Sequence, residues 1–232
     1  MKKIGEFWVP DVDTFWFRNL RKTRKNYEGG KQGTQLHHLT GAIDHIRATV
    51  GPDRLAASVA IDAGANVGAY ARHMAAHFAH VHAFEPAPDT YECLARNIAD
   101  WGLGARVTAY PNALSAVEEG VSMGGGGWFR RSISREVAGP GDIRAIPIDS
   151  LALEDVLLLK LDVEGYELKV LEGSRETLAR CRPFVMMELK DRKIAKGTAD
   201  MAPHEFLLGQ GYEVVLKLGE PAIDRLYAPR VG

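Results

Sequence analysis

A chain of 232 residues, 46% hydrophobic and 25% charged, has the composition of a soluble globular protein and is long enough for one domain with elaborations. Its formal net charge of −1 excludes generalised binding to nucleic acid or anionic membrane. Two cysteines, Cys93 and Cys181, exclude a disulfide framework and carry no metal-binding spacing.

The opening MKKIGEFWVPD meets Pro10, Asp11 and Asp13 before any apolar core, so it does not read as a signal peptide. No apolar run approaches the ~18 residues of a membrane span. A reducing, cytoplasmic setting is the expectation. Residues 1–35 read as irregular and aromatic-rich, with a basic patch from Arg18 to Lys31 that reads first as a solvated face. Leu39, Ile43, Ile46 and Val50 recur at helical spacing over 36–50, and Gly51-Pro52 ends that helix.

Short apolar runs then alternate with longer amphipathic ones. Strands are expected at 58–62, 80–85, 106–110, 156–162 and 183–189, with helices at 67–78, 88–101 and 165–180. Residues 113–148 are less regular and suit a hairpin. A helix near 203–209, a strand at 212–218 and a last short strand near 223–228 follow. Strands joined by helical crossovers give an α/β, mostly parallel sheet with helices on both faces. Right-handed crossovers put the loops after the strands on one edge, where chemistry is expected. The division is an N-terminal extension, 1–50, and a Rossmann-like domain, 51–232, with an insert near 118–145.

IDAGANVG (61–68) follows the first of these strands and opens a helix. Its glycines permit a tight turn that presents backbone N–H groups and a helix N-terminus to a ligand. It is not GxGxxG, and Asp62 at the strand end would repel a pyrophosphate. Asp62 could instead orient the amino-acid part of a cofactor without one, with Gly64, Asn66 and Gly68 forming the cradle. Glu85, at the end of the next strand, can accept hydrogen bonds from both ribose hydroxyls. S-adenosylmethionine meets that description, although glycine count alone leaves NAD open.

From about 58 to 189 the chain resembles the FkbM-like family of S-adenosylmethionine-dependent methyltransferases. The matching pieces are IDAGANVG, FEPAPDTYECLARN, IDSL at 148–151, LLLKLDVEGYELKVLEG and MMEL. The resemblance implies a class I methyltransferase sheet of seven strands, six parallel and one inserted antiparallel. It implies the cofactor roles just given to Asp62, Gly64 and Glu85. It also puts Asn112 where adenine commonly lies in such folds, though Asn112 equally suits a turn. Many relatives methylate sugar or natural-product hydroxyls, and the substrate does not carry over.

LLLKLDVEGYEL (157–168) carries three charges at the end of a run that reads as a central buried strand. Period-two alternation puts Lys160 and Asp162 on one side, with Glu164 just beyond the strand. Methyl transfer to a hydroxyl needs an aligned acceptor and a place for its proton. Asp162 is the candidate for touching acceptor or cofactor, Glu164 for orienting the acceptor or acting as base, and Glu188 for completing the site from the next strand. Lys160 either tunes these carboxylates or only pairs with them. Three carboxylates could also hold magnesium or calcium, but Lys160 is the favoured explanation of their clustering.

Trp8, Phe15, Trp16, Trp128, Phe129, Arg130 and Arg131 are available to line a substrate pocket, and the GGGGW loop is a candidate lid. His37, His38 and His204 read as structural or exposed. The expected acceptor is a small molecule or glycan, methylated on oxygen. A nucleotide or nucleic-acid acceptor, a nicotinamide-dependent oxidoreductase and an inactive cofactor-binding protein are the alternatives.

Overall fold

The structure is a computed structural model and describes residues 1–11, 35–124, 136–219 and 223–230. In chain order its strands are β1 Lys2–Ile4, β2 Phe7–Val9, β3 Val59–Ala63, β4 His80–Phe84, β5 Val107–Tyr110, β6 Ala113–Leu114, β7 Glu119–Gly124, β8 Glu136–Pro140, β9 Ile143–Ile146, β10 Val156–Leu161, β11 Phe184–Glu188, β12 Tyr212–Leu218 and β13 Asp224–Pro229. The helices are α1 Gln35–Val50, α2 Pro52–Ala57, α3 Ala69–Met74, α4 Pro88–Asp100, α5 Glu167–Glu172, α6 Arg175–Cys181, α7 Asp191–Ala195 and α8 Ala202–Gly209.

Seven strands form the main sheet in the order β12-β13-β11-β10-β3-β4-β5. Neighbours from β11 to β5 are parallel, and β13 runs antiparallel to both β11 and β12. Six strands therefore point one way and the inserted β13 the other, as the class I methyltransferase fold requires. Every residue of β10 is buried, which is the burial of a central parallel strand covered on both faces. Leu158 packs with Leu39, Ile43, Ile46, Met74 and Leu94, the face covered by α1, α3 and α4. Leu159 and Leu161 pack with Val170, Leu171, Leu178 and Leu207, the face covered by α5, α6 and α8. A register shift between Val156 and Leu158 puts Leu157 on the same face as Leu158.

Three local expectations change. The first residues form a two-stranded antiparallel hairpin, β1–β2, where irregular chain was expected. The 113–148 segment builds a second sheet, β6-β9-β7-β8, of which the expected hairpin is β7–β8. The helix expected over 165–180 is two helices, broken at Gly173 and Ser174. A Cβ on Gly173 would lie 2.0 Å from the Ser115 carbonyl oxygen, so the break lets the chain pass close to the second sheet. Asp149 caps α6: its carboxylate accepts from the Glu176 and Thr177 backbone N–H groups at 2.9 and 2.8 Å. The IDSL piece of the sequence is thus a cap supplied from a distant segment.

Candidate active site

The turn after β3 is built from backbone that side chains resist. Gly64, Asn66 and Gly68 all have positive φ, at 80°, 53° and 93°. Gly64 is required for a second reason: a Cβ there would sit 1.9 Å from the Asp162 carbonyl oxygen. The glycine turn and the end of β10 therefore touch backbone to backbone. Asn66 closes its own turn, its Oδ1 accepting from Val67 N at 2.7 Å. Glu85 holds the turn from β4, accepting from Asn66 N and Ala87 N at 2.9 Å each. Asn112 stands after β5, where its amide donates to the Arg144 carbonyl at 3.1 Å and joins the two sheets.

Register places Lys160 beside Asp62 in the sheet, and both point to the same side. Lys160 Nζ lies 3.1 Å from Asp62 Oδ1 and 3.6 Å from Asp162 Oδ2. It also sits 4.4 Å from the centre of the Tyr70 ring, a cation–π contact from α3. Asp62 is wholly buried and Lys160 nearly so, whereas the Asp162 side chain is 35% exposed. No donor meets hydrogen-bond geometry at either Asp62 oxygen, and no acceptor does so at Lys160 Nζ. Lys160 and the Ala71 amide are the groups that favour the ionised Asp62.

Burial raises the Asp62 carboxyl above its usual range, and Lys160 opposes that. Burial also disfavours a charged Lys160, but Asp62, Asp162 and Asp224 outweigh it and raise the ammonium further. An ammonium facing these carboxylates keeps its proton. Burial pushes the Tyr70 phenol well above its usual value, with Asp162 and Asp224 adding to the shift.

Glu188 ends β11 and is partly buried. Burial raises its carboxyl, against the pull of Lys190, whose Nζ lies 2.5 Å away. It lines a cavity of about 360 Å³ between the loops after β10 and β11, with Glu164, Tyr166, Lys190, Lys193 and Asp200 among its walls. Glu164 is exposed and held at a φ of 50°, followed by Gly165 at 92°. The structure thus gathers Asp62 and Lys160 into one buried group at the edge, with Asp162 at its rim. Glu164 and Glu188 line the cavity beside it.

The sequence matches the model of the methyltransferase FkbM domain over residues 62–214. The chain belongs to the FkbM methyltransferase family. A solved FkbM methyltransferase from Methylobacillus flagellatus is similar at 17% identity and TM-score 0.52, over 94% of this chain and 60% of that one. The chain therefore spans less than two thirds of that relative. A structure described as precorrin 8w decarboxylase, from Methanobacterium thermoautotrophicum, is similar at 14% identity and TM-score 0.52, over 99% and 100%. An rRNA methylase from Streptococcus thermophilus is similar at 10% and 0.51, over 85% and 98%. At these identities the likeness is one of fold. No curated protein sequence matches.

The residues of this FkbM-family chain fit S-adenosylmethionine, the donor that its class implies. Asp62 is fully buried with Lys160 Nζ 3.1 Å from Oδ1 and, among the described residues, no close ion-pair partner at Oδ2, which leaves acceptor capacity beside the turn. The turn carries positive φ at Gly64, Asn66 and Gly68, and Glu85 stands at the next strand end with the turn already fixed to it. Among the described residues no group of three or more His, Cys, Asp or Glu is arranged for a metal ion, and no helix is long and apolar enough to cross a membrane. Phe15, Trp16, Trp128, Phe129, Arg130, Arg131 and most of the GGGGW loop lie outside the described residues.

Sequence reasoning passed over two residues of this edge. Tyr70 floors the Lys160 ammonium, and nothing in its helix pattern marks it. Asp224 opens β13 opposite Glu188 and receives His38 Nδ1 at 2.6 Å, in a buried pair joining α1 to the sheet. The His38 ring packs against Gly219, where a Cβ would lie 3.0 Å from Cε1, so the imidazole braces this corner. The signal for Asp224 was available: a carboxylate at the start of a strand antiparallel to the others lands on the chemical edge.

Proposed function

We propose that this chain transfers a methyl group from S-adenosylmethionine to a hydroxyl oxygen of a sugar or other small polar metabolite. One observation carries the reading. Carboxylates from the ends of β3, β4, β10 and β11 converge at the edge where the glycine turn touches β10, beside a cavity of about 360 Å³. That volume suits a ligand of drug-like or small-sugar size.

When bound, the donor supplies an electrophilic methyl group. Asp62 and the backbone of 64–68 would hold its amino-acid end, and Glu85 its ribose, with Asn112 beside the base. Asp162, at the rim between turn and cavity, would orient the acceptor or the donor's charged end. Glu188 is suited to take the acceptor's proton, because burial raises its carboxyl and it lines the cavity. Glu164, which lines the same cavity, would orient the acceptor. Lys160 pairs with Asp62 and opposes the upward shift that burial imposes on it, and it is not among the residues that line the cavity. The expected setting is cytoplasmic.

Calorimetric titration with S-adenosylmethionine, S-adenosylhomocysteine and NAD tests the cofactor. Binding of the first two at micromolar concentration, without comparable NAD binding, supports the reading, and no binding of either at millimolar concentration overturns it. A labelled-methyl screen over sugars, nucleotides, RNA, peptides and small hydroxylated metabolites then identifies the acceptor. Transfer to RNA alone would move the proposal to nucleic-acid methylation.

A further inference from the structure

The β1–β2 hairpin packs on the back of the cofactor turn. Asn97, wholly buried in α4, joins the two. Its Oδ1 accepts from Trp8 N at 2.6 Å, and its Nδ2 donates to Trp8 O at 2.9 Å and to Val67 O at 2.8 Å. One amide therefore spends three hydrogen bonds joining the hairpin backbone to residue 67 of the glycine turn.

Packing repeats the connection. Phe7 and Val9 form a small core of their own with Val67 and Cys93. Trp101 meets Phe7 edge to face at 5.2 Å, and its indole N–H donates to the Glu6 carbonyl at 3.2 Å. The same ring would touch a Cβ on Gly68 at 3.4 Å. Arg72, from the helix that the turn opens, lies over Trp101 at 4.8 Å and reaches Glu6 at 2.9 Å. Lys3 and the Trp8 indole both hold Asp100, at 3.0 and 2.9 Å.

A turn with three positive-φ residues in five is poor at holding itself. Here the hairpin braces it from behind while β4 braces it in front. We propose that the N-terminal hairpin is a donor-linked clamp: its docking through Asn97 sets the turn that receives the methyl donor, and donor binding tightens the docking in return. Coupling of this kind is reciprocal, so each event must strengthen the other by the same factor. The proposal rests on the donor assigned above. Asn97 and the hairpin are positioning elements, with no contact to reacting atoms.

Reciprocity supplies a readout that simple packing would not move. Hydrogen exchange at the Trp8 and Val9 amides is measured in the full chain with and without saturating S-adenosylhomocysteine. Slowing of several-fold is expected there, beyond any change in α8. Asn97→Ala should weaken S-adenosylhomocysteine about tenfold by calorimetry. Should Asn97→Ala fail to fold, the double variant Lys3→Ala/Glu6→Ala cuts only exposed hairpin contacts and should weaken binding two- to threefold with an unchanged cooperative melt. Unchanged exchange at Trp8 in a protein that binds S-adenosylhomocysteine overturns the clamp and leaves the methyl-transfer reading intact. Wild-type affinity in folded hairpin variants does the same. A wild-type chain that binds no S-adenosylhomocysteine overturns both.

Discussion

Replacing Lys160 by Met separates its structural part from its part in the site. The substitution leaves Asp62 in full burial without the cation that now lies 3.1 Å from it. An unpaired buried carboxylate is worse than a neutral one, so Asp62 takes a proton. Keeping it protonated at pH 7 against an ordinary value of 3.8 costs at most about 4 kcal/mol. A carboxyl raised in the folded state contributes stability at low pH and loses it as pH rises above the unfolded value. Lys160→Met should therefore lose up to about 4 kcal/mol near pH 7 and under about 2 kcal/mol near pH 5. In the wild type, the raised Lys160 supports the fold throughout this window and fails only as pH rises through its own folded value. Urea unfolding followed by circular dichroism at both pH values reads the difference, and Lys160→Met/Asp62→Asn should recover most of it. An equal loss at both pH values, or no rescue by Asp62→Asn, would refute charge burial as the cause.

Gly64→Ala should remove donor binding and destabilise the fold, because its Cβ would meet the Asp162 carbonyl oxygen at 1.9 Å. Gly68→Ala should be milder, since there the first contact is the tip of Leu94; calorimetry and melting compare the two. Asp149→Ala removes the cap of α6 and should cost about 1–2 kcal/mol in urea unfolding, with donor affinity unchanged. His82 is held down at about 4 by burial and by His80 beside it. Its neutral form stabilises the fold above the unfolded value of 6.5, and that stability is lost as pH falls towards 4. His82→Phe should flatten the stability curve in that window, which melting between about pH 7 and 4 would detect. Asp162→Asn should cut methyl transfer with the melt unchanged, and full turnover would remove Asp162 from the proposed site.

What the sequence made legible is what repeats or aligns along the chain. The alternation of apolar runs with amphipathic ones marked the seven strands of the main sheet, most plainly the central β10, whose every residue is buried, and β11 beside it. The IDAGANVG turn and the strand-end acids were legible because crossover topology sends every such end to one edge. Lys160 was legible as an anomaly but not as a partner of Asp62, since that pairing needs the register of two strands a hundred residues apart. The break at Gly173 and the cap from Asp149 were hidden for the same reason: each answers to a segment remote in sequence.

Asn97 shows the limit most clearly. Along its helix it reads as one polar residue near the C-terminal end, with nothing to mark it as buried. Its meaning lies in two backbone carbonyls and one N–H that arrive from residues 67 and 8. A buried amide is tolerated only where its hydrogen bonds are met, and here they are met jointly by the hairpin and the turn. Neither segment alone satisfies it. Loss of the hairpin would leave two of the three bonds unmade in a closed interior, and the turn would then be held from behind by the same amide in a poorer state. The first nine residues, unpatterned in the sequence, are for that reason tied to the proposed donor site more closely than the charged strand end suggests.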